Sequence, residues 1–150
     1  MTTSDLSARQ LVAAAACLLD QGRVVDSLSR LLTATAIFVL ILPVVLPASP
    51  QRLPVVILMA VAVLGAIEAF YAVRVGFDAA LFHLLAAGSG ALDLDHLDDA
   101  LIRLGLAPER RADRSAADRA SGARRLLGRQ AAMLILQIGL ILLAALVAWT

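Results

Sequence analysis

The chain has 150 residues, of which 61% are hydrophobic and 17% are charged, and its formal net charge is +1. An average soluble domain is about 45–50% apolar and about 25% charged, so this composition is typical of a membrane protein. The near-zero charge excludes a general electrostatic attraction to nucleic acid, and the single cysteine, Cys17, excludes an internal disulfide.

Residues 1–27 predict an N-terminal amphipathic helix from Ser4 to Gln21, with Ser4 as the N-cap and Gly22 just past the end. The continuous apolar stretch at 11–19 is too short to cross a membrane, since a span needs about 20 residues. We therefore expect this helix to lie at the membrane interface. The early charged residues also argue against a cleavable signal peptide.

Residues 28–87 predict a transmembrane hairpin. The first span runs from Leu28 to Leu46, and the short turn PASPQR at 47–52 makes the second span antiparallel to it. The second helix starts near Leu53, and its helical pattern continues to Ala87. Because this helix is longer than a hydrocarbon core of about 30 Å, its C-terminal third is expected to extend into the cytoplasm.

Residues 88–130 form the one polar region of any size. An acidic helix is predicted from Asp93 to Leu104, ended by Gly105, and a basic helix follows from Pro108. The basic helix is typical of a cytoplasmic segment beside anionic headgroups, and it lacks the interleaved aromatic residues that nucleic-acid stacking requires. Its arginines are Arg110, Arg111, Arg114, Arg119, Arg124, Arg125 and Arg129.

Residues 131–150 predict the third span, from Ala131 to Trp149. Eight arginines lie in residues 78–130, against one in the hairpin turn at 47–52. The positive-inside rule then places the N-terminus and residues 78–130 in the cytoplasm and the C-terminus on the other side. All 13 basic residues are arginine, which suggests a GC-rich bacterial genome. We therefore expect an all-α, multi-pass protein of the bacterial inner (cytoplasmic) membrane, with its C-terminus in the periplasm.

Glu68 is the most informative residue, because an ionisable group inside a span is costly unless it is paired, protonated or in contact with water. We expect it to meet a hydrogen-bond donor, with Gln137 and Tyr71 as candidates in this chain or another group on a partner protein. A polar anchor between helices is favoured over a proton- or ion-handling site. Arg74 and Asp78, four residues apart, predict a charge pair at the membrane boundary.

No nucleophile, phosphate-binding, metal or cofactor motif is apparent, so we expect neither an enzyme nor a bound cofactor. The residues around His96 are rich in aspartate but lack the glycine and glutamate of a calcium loop. The favoured hypothesis is an accessory or scaffold subunit of a larger inner-membrane complex, which contacts other membrane subunits through its helices. The alternatives are a homo-oligomeric ion or proton channel or transporter component that uses Glu68, and, less favoured, a holin-like permeabilising protein.

Overall fold

Three long helices make up nearly all of the described structure. The computed structural model describes residues 3–45, 52–87, 102–103, 105 and 116–149. Helix α1 runs from Thr3 to Val45, α2 from Arg52 to Ala87 and α3 from Ala116 to Trp149. The described residues are helical, apart from a turn residue at 105, and they include no strand. All three helices are long and apolar enough to cross a membrane, as expected of a multi-pass membrane protein.

The three helices pack against one another as a bundle in which each helix contacts the other two. Gly22 of α1 lies against Val75 of α2 and Leu127 of α3, and Gly65 of α2 lies against Thr33 of α1. From Gly22 to Thr33 along α1, the facing residue of α2 changes from Val75 back to Gly65, so these two helices are antiparallel. Helix α3 then runs in the same direction as α1.

Helix α1 continues without interruption through Gly22, so the predicted helix end there is wrong. Glycine favours a helix end because it adopts positive φ freely, but here it allows a close approach of helices. A Cβ at Gly22 would lie 2.8 Å from Val75 Cγ1 and 3.2 Å from Leu127 Cδ1. Tertiary packing thus outweighs the unfavourable helix propensity of glycine at this position.

Other predicted helix ends agree with the structure. Helix α2 ends at Ala87, as its periodicity indicated. Gly105 has a φ of +68°, and its N–H donates to the Ile102 carbonyl at 2.9 Å, which is the left-handed ending expected for the acidic helix. The rest of that helix, including 93–101, lies outside the described residues. Helix α3 joins part of the predicted basic helix to the third span with no break at residue 130.

Charge divides the bundle into two halves. The apolar half comprises residues 31–45, 53–73 and 130–149, and its one charged residue is Glu68. The charged half comprises residues 3–30 of α1, 74–87 of α2 and 116–129 of α3. At 1.5 Å per residue the 43 residues of α1 extend for about 64 Å, roughly twice the thickness of a hydrocarbon core.

The interiors of the two halves differ in their polar content. The charged half contains a connected core of buried apolar residues, as a protein in water does. In the apolar half, Glu68, Gln130 and Gln137 are buried beside apolar residues such as Val61, while many large apolar side chains face outward, with Phe38 65% and Phe70 73% exposed. The core residues of the charged half are Val12, Ala16, Leu19, Val75, Ala79, Phe82 and Ala123.

Candidate functional site: a polar column inside the bundle

Gln137 joins all three helices near the middle of the bundle. Ser29 Oγ on α1 donates to Gln137 Oε1 at 2.6 Å. The Gln137 amide nitrogen donates to Thr33 Oγ1 at 3.0 Å and to the Val61 carbonyl of α2 at 3.2 Å. The oxygen and the nitrogen of the Gln137 amide therefore both have partners within this chain. We call these four residues the Gln137 layer.

A second layer, the Glu68 layer, consists of Glu68, Gln130 and the Gly22 carbonyl. Gln130 Nε2 donates to Glu68 Oε1 at 2.7 Å and to the Gly22 oxygen at 2.9 Å. The side chains of Glu68 and Gln130 are fully buried. Two of their oxygen atoms, Glu68 Oε2 and Gln130 Oε1, are buried with no hydrogen-bond partner.

A seven-residue spacing places these side chains inside the bundle. On α3 the buried stripe is Ala123, Gln130, Gln137 and Ala144, and on α2 it is Val61, Glu68, Val75 and Phe82. A step of seven residues is nearly two helical turns, so each stripe stays on one side of its helix and faces the neighbouring helices. This spacing is the sequence signal that could have identified Gln130, seven residues before Gln137, and Ser29, seven residues after Gly22, as interior residues.

The donor to Glu68 differs from both predicted candidates. Gln130 takes this role, while Gln137 bonds to the Val61 carbonyl, seven residues before Glu68. Because α2 and α3 are antiparallel, the step of seven from Gln130 to Gln137 matches the step of seven from Glu68 back to Val61. Tyr71 is half-buried and packs edge-on against Phe70, with ring centroids 5.9 Å apart.

Glu68 and Gln137 face helices of their own chain. Both are fully buried in this single chain, so their side chains are not available on its surface to a partner protein. The predicted contact between these side chains and another subunit is therefore replaced by contacts within the bundle. Their role in function stays a prediction.

The charged groups near the Glu68 layer pair locally. Arg30 Nε donates to Asp26 Oδ1 at 2.8 Å on α1, and His83 Nε2 of α2 lies 2.9 Å from Asp20 Oδ2 of α1. Arg74 acts on Asp78 through its charge, with no hydrogen bond between the two side chains, so their predicted pairing stays a prediction. The Arg74 guanidinium lies over the Phe77 ring, 5.9 Å from its centroid.

A cleft of about 380 Å³ opens between α1 and α2 in the charged half. Asp20, Asp26 and His83 contribute to its lining, and so does Gly22, whose carbonyl accepts a hydrogen bond from Gln130. The cleft thus passes beside the Glu68 layer. The cleft, the Glu68 layer and the Gln137 layer together form a column of polar groups along the bundle.

The column contains groups that can exchange protons and hydrogen bonds. Among the described residues, no group of three or more His, Cys, Asp or Glu side chains could hold a metal ion.

Of the predicted basic residues, Arg124, Arg125 and Arg129 are exposed on α3 and Arg119 is half-buried there. The positions of Arg110, Arg111 and Arg114 lie outside the described residues.

Ser29 offers a small, specific test of the Gln137 layer. Ser29→Ala should lower the free energy of unfolding by about 0.6 kcal/mol, the average for hydrogen bonds between membrane helices. Thr35→Ala is the matched control, because the exposed Thr35 hydroxyl bonds only within its own helix, to the Leu31 carbonyl. Its effect should be smaller. Unfolding titrations in mixed detergent micelles would compare the two, and equal losses would contradict the role given to Ser29.

Comparison of the chain with protein-family models, with curated proteins and with solved structures gives no match.

Proposed function

We propose that this protein is an accessory or scaffold subunit of a larger complex in the bacterial inner membrane, acting through helix contacts rather than catalysis. The N-terminus and residues 78–130 lie in the cytoplasm in this proposal, and the C-terminus lies in the periplasm. The arginine distribution supports that orientation. The partners are other membrane subunits and anionic lipid headgroups.

The distribution of buried groups supports insertion of the apolar half in lipid. Lipid gives no hydrophobic reason to bury apolar side chains, but it strongly favours internal pairing of polar ones. The apolar half follows that rule, because Gln130 and Gln137 point inward while Ile135 is 69% exposed. The charged half contains the connected apolar core, which suits water.

The observation that carries the subunit proposal is a set of exposed apolar residues in the charged half. Leu11 and Leu18 lie seven residues apart on one side of α1, and they are 43% and 45% exposed. Full burial of a leucine side chain is worth about 1.5–3 kcal/mol, so a surface that covers both is a favourable partner. We call these two residues the Leu11–Leu18 stripe. Val24 and Leu84 are further exposed apolar residues of the charged half.

Site-specific photo-crosslinking in living cells tests this proposal. A photoreactive residue at Leu18 should give one discrete product in which the chain is joined to a different membrane protein. The same residue at Arg125, which is exposed on α3, is the control and should give little of that product. If Leu18 yields only the uncrosslinked chain, or gives the same adducts as Arg125, the stripe does not contact a subunit.

A second candidate function is an ion or proton channel or a transporter component. It is favoured by one observation, the unpartnered Oε2 of Glu68 in the layer beside a cleft that Gly22 lines. Reconstituted protein would then carry a proton or cation flux that Glu68→Gln abolishes. Unchanged flux in that variant, or the absence of flux in both proteins, would remove this function.

A further inference from the structure

The Glu68 layer lacks one hydrogen-bond donor. Glu68 Oε1 accepts from Gln130, but Glu68 Oε2 and Gln130 Oε1 are both buried acceptors with no partner. A buried acceptor without a donor is destabilising, and two on side chains already bonded to each other require an explanation. Each of these two oxygens lacks a hydrogen-bond donor.

Rotation of the Gln130 amide cannot supply that hydrogen. The Gly22 oxygen accepts from Gln130 Nε2 at 2.9 Å, and Glu68 Oε1 accepts from the same nitrogen at 2.7 Å. Both N–H groups of the amide are therefore in use. Exchanging the amide oxygen and nitrogen would place two acceptors against each other at both contacts.

We propose that Glu68 and Gln130 form a proton-binding site in which Glu68 is held as the neutral carboxylic acid. Its proton resides on Oε2, the carboxyl oxygen that lacks a partner, while Gln130 Nε2 continues to donate to Glu68 Oε1. One proton then turns one of the two orphaned acceptors into a donor within the layer. It also removes the formal charge, which is the costly feature of a carboxylate in an apolar bundle.

The charged side chains around the layer do not replace the proton. On α1, Arg30 bonds to Asp26 and its side chain is 67% exposed, so its charge acts on Glu68 without a hydrogen bond to it. The exposed Arg23 lines the cleft. On α2, the Arg74 guanidinium lies over Phe77, and on α3, Arg129 is exposed. The other titratable groups along these helices near the layer are Asp20, Tyr71, Asp78 and His83, of which Asp20 and His83 contact each other.

The cleft gives the proton a path to the site. Gly22 both lines the cleft and accepts from Gln130, so the cleft lies one residue away from the pair and is the nearest opening to it in the described part of the chain. This proton site concerns the interior of one chain and does not rest on the subunit function. It can be tested on isolated protein, where failure of the subunit proposal has no effect on the result.

Infrared spectroscopy of the purified protein in lipid vesicles at neutral pH tests the site. A protonated carboxyl absorbs separately from a carboxylate, and its band shifts in heavy water. The wild type should show this carboxylic-acid band and Glu68→Gln should lack it, whereas Asp26→Asn, at the exposed ion pair, should retain it. Loss of a carboxylate band in Glu68→Gln, with no acid band in the wild type, would overturn the proposal.

Stability provides a second readout on the same variants. A glutamine at position 68 has the same donor and acceptor pattern as the neutral acid, so Glu68→Gln should unfold at the same denaturant concentration as the wild type near neutral pH. In alkaline solution the wild type alone should become less stable relative to the variant, because removal of the proton leaves a buried charge. A pH-independent difference between the two proteins would contradict the proton site.

Discussion

Replacing Gly65 with alanine is expected to destabilise the bundle by about 2–3 kcal/mol, the upper part of the usual range for an overpacked core. A Cβ at this position would overlap Thr33 Oγ1 and would lie 2.9 Å from both Thr33 Cβ and Thr33 Cγ2. Helix α2 cannot simply move away, since the Val61 carbonyl one turn earlier is bonded to Gln137. The clash therefore acts on a contact that several hydrogen bonds hold in place.

Gly76→Ala is the matched control on the same helix. A Cβ at Gly76 meets nothing within 4 Å, and the residue is exposed. Alanine is favoured over glycine in a helix interior by up to about 1 kcal/mol, so this variant should be slightly more stable than the wild type. Unfolding in mixed micelles, followed by circular dichroism, measures both. If the two alanine variants change stability in the same direction, helices α1 and α2 do not meet at Gly65.

The second large effect is expected for Gln130→Met, which should lose about 2–3 kcal/mol. The substitution removes the donor to Glu68 and leaves the buried carboxyl group without a hydrogen-bond partner in this layer. A buried polar group left unsatisfied costs about 1–3 kcal/mol. Gln21→Met, at an exposed position of α1, is the control and should have little effect.

The double variant Glu68→Met/Gln130→Met distinguishes an orphaned carboxyl from a loss of packing. Replacing both partners of a buried hydrogen bond by apolar groups of similar shape is often nearly neutral. We therefore expect the double variant to regain most of the stability that Gln130→Met loses. A double variant that is less stable than Gln130→Met would show that Glu68 has another stabilising contact.

Much of the helical architecture follows from hydropathy and residue spacing. The three apolar spans, the continuation of α2 to Ala87 and the helix end at Gly105 all agree with the structure. These features depend on local chemistry, namely the length of apolar stretches and the freedom of glycine to adopt positive φ. The membrane orientation and the interfacial position of residues 1–27 stay predictions.

The features that sequence reasoning missed depend on contacts between helices. Gly22 is typical of a helix end when the sequence is read locally. In the bundle, its lack of a side chain leaves room for Val75 and Leu127 to pack against α1. The sequence pattern places Gln130 at the end of the polar segment, directly after several arginines. Its partner became clear only from the antiparallel register of α2 and α3, which brings it to Glu68 rather than to solvent.

The proposed insertion of the apolar half in lipid accounts for the polar groups buried there and for the connected apolar core of the charged half. Glu68, Gln130 and Gln137 hold the helices together where apolar burial provides no driving force. Val12, Leu19 and the rest of the apolar core do so where water provides it. The proposed orientation in the membrane depends on the boundary between these halves being the membrane surface.

Thiol labelling of the native Cys17 tests that boundary most directly. Cys17 is exposed in the charged half, so a membrane-impermeant maleimide should label it in inverted inner-membrane vesicles and not in intact spheroplasts. Phe70→Cys in a Cys17→Ala background replaces an exposed residue of the apolar half and should be labelled only after detergent is added. Labelling of Cys17 in intact spheroplasts, or equal labelling of both positions in vesicles, would contradict the account.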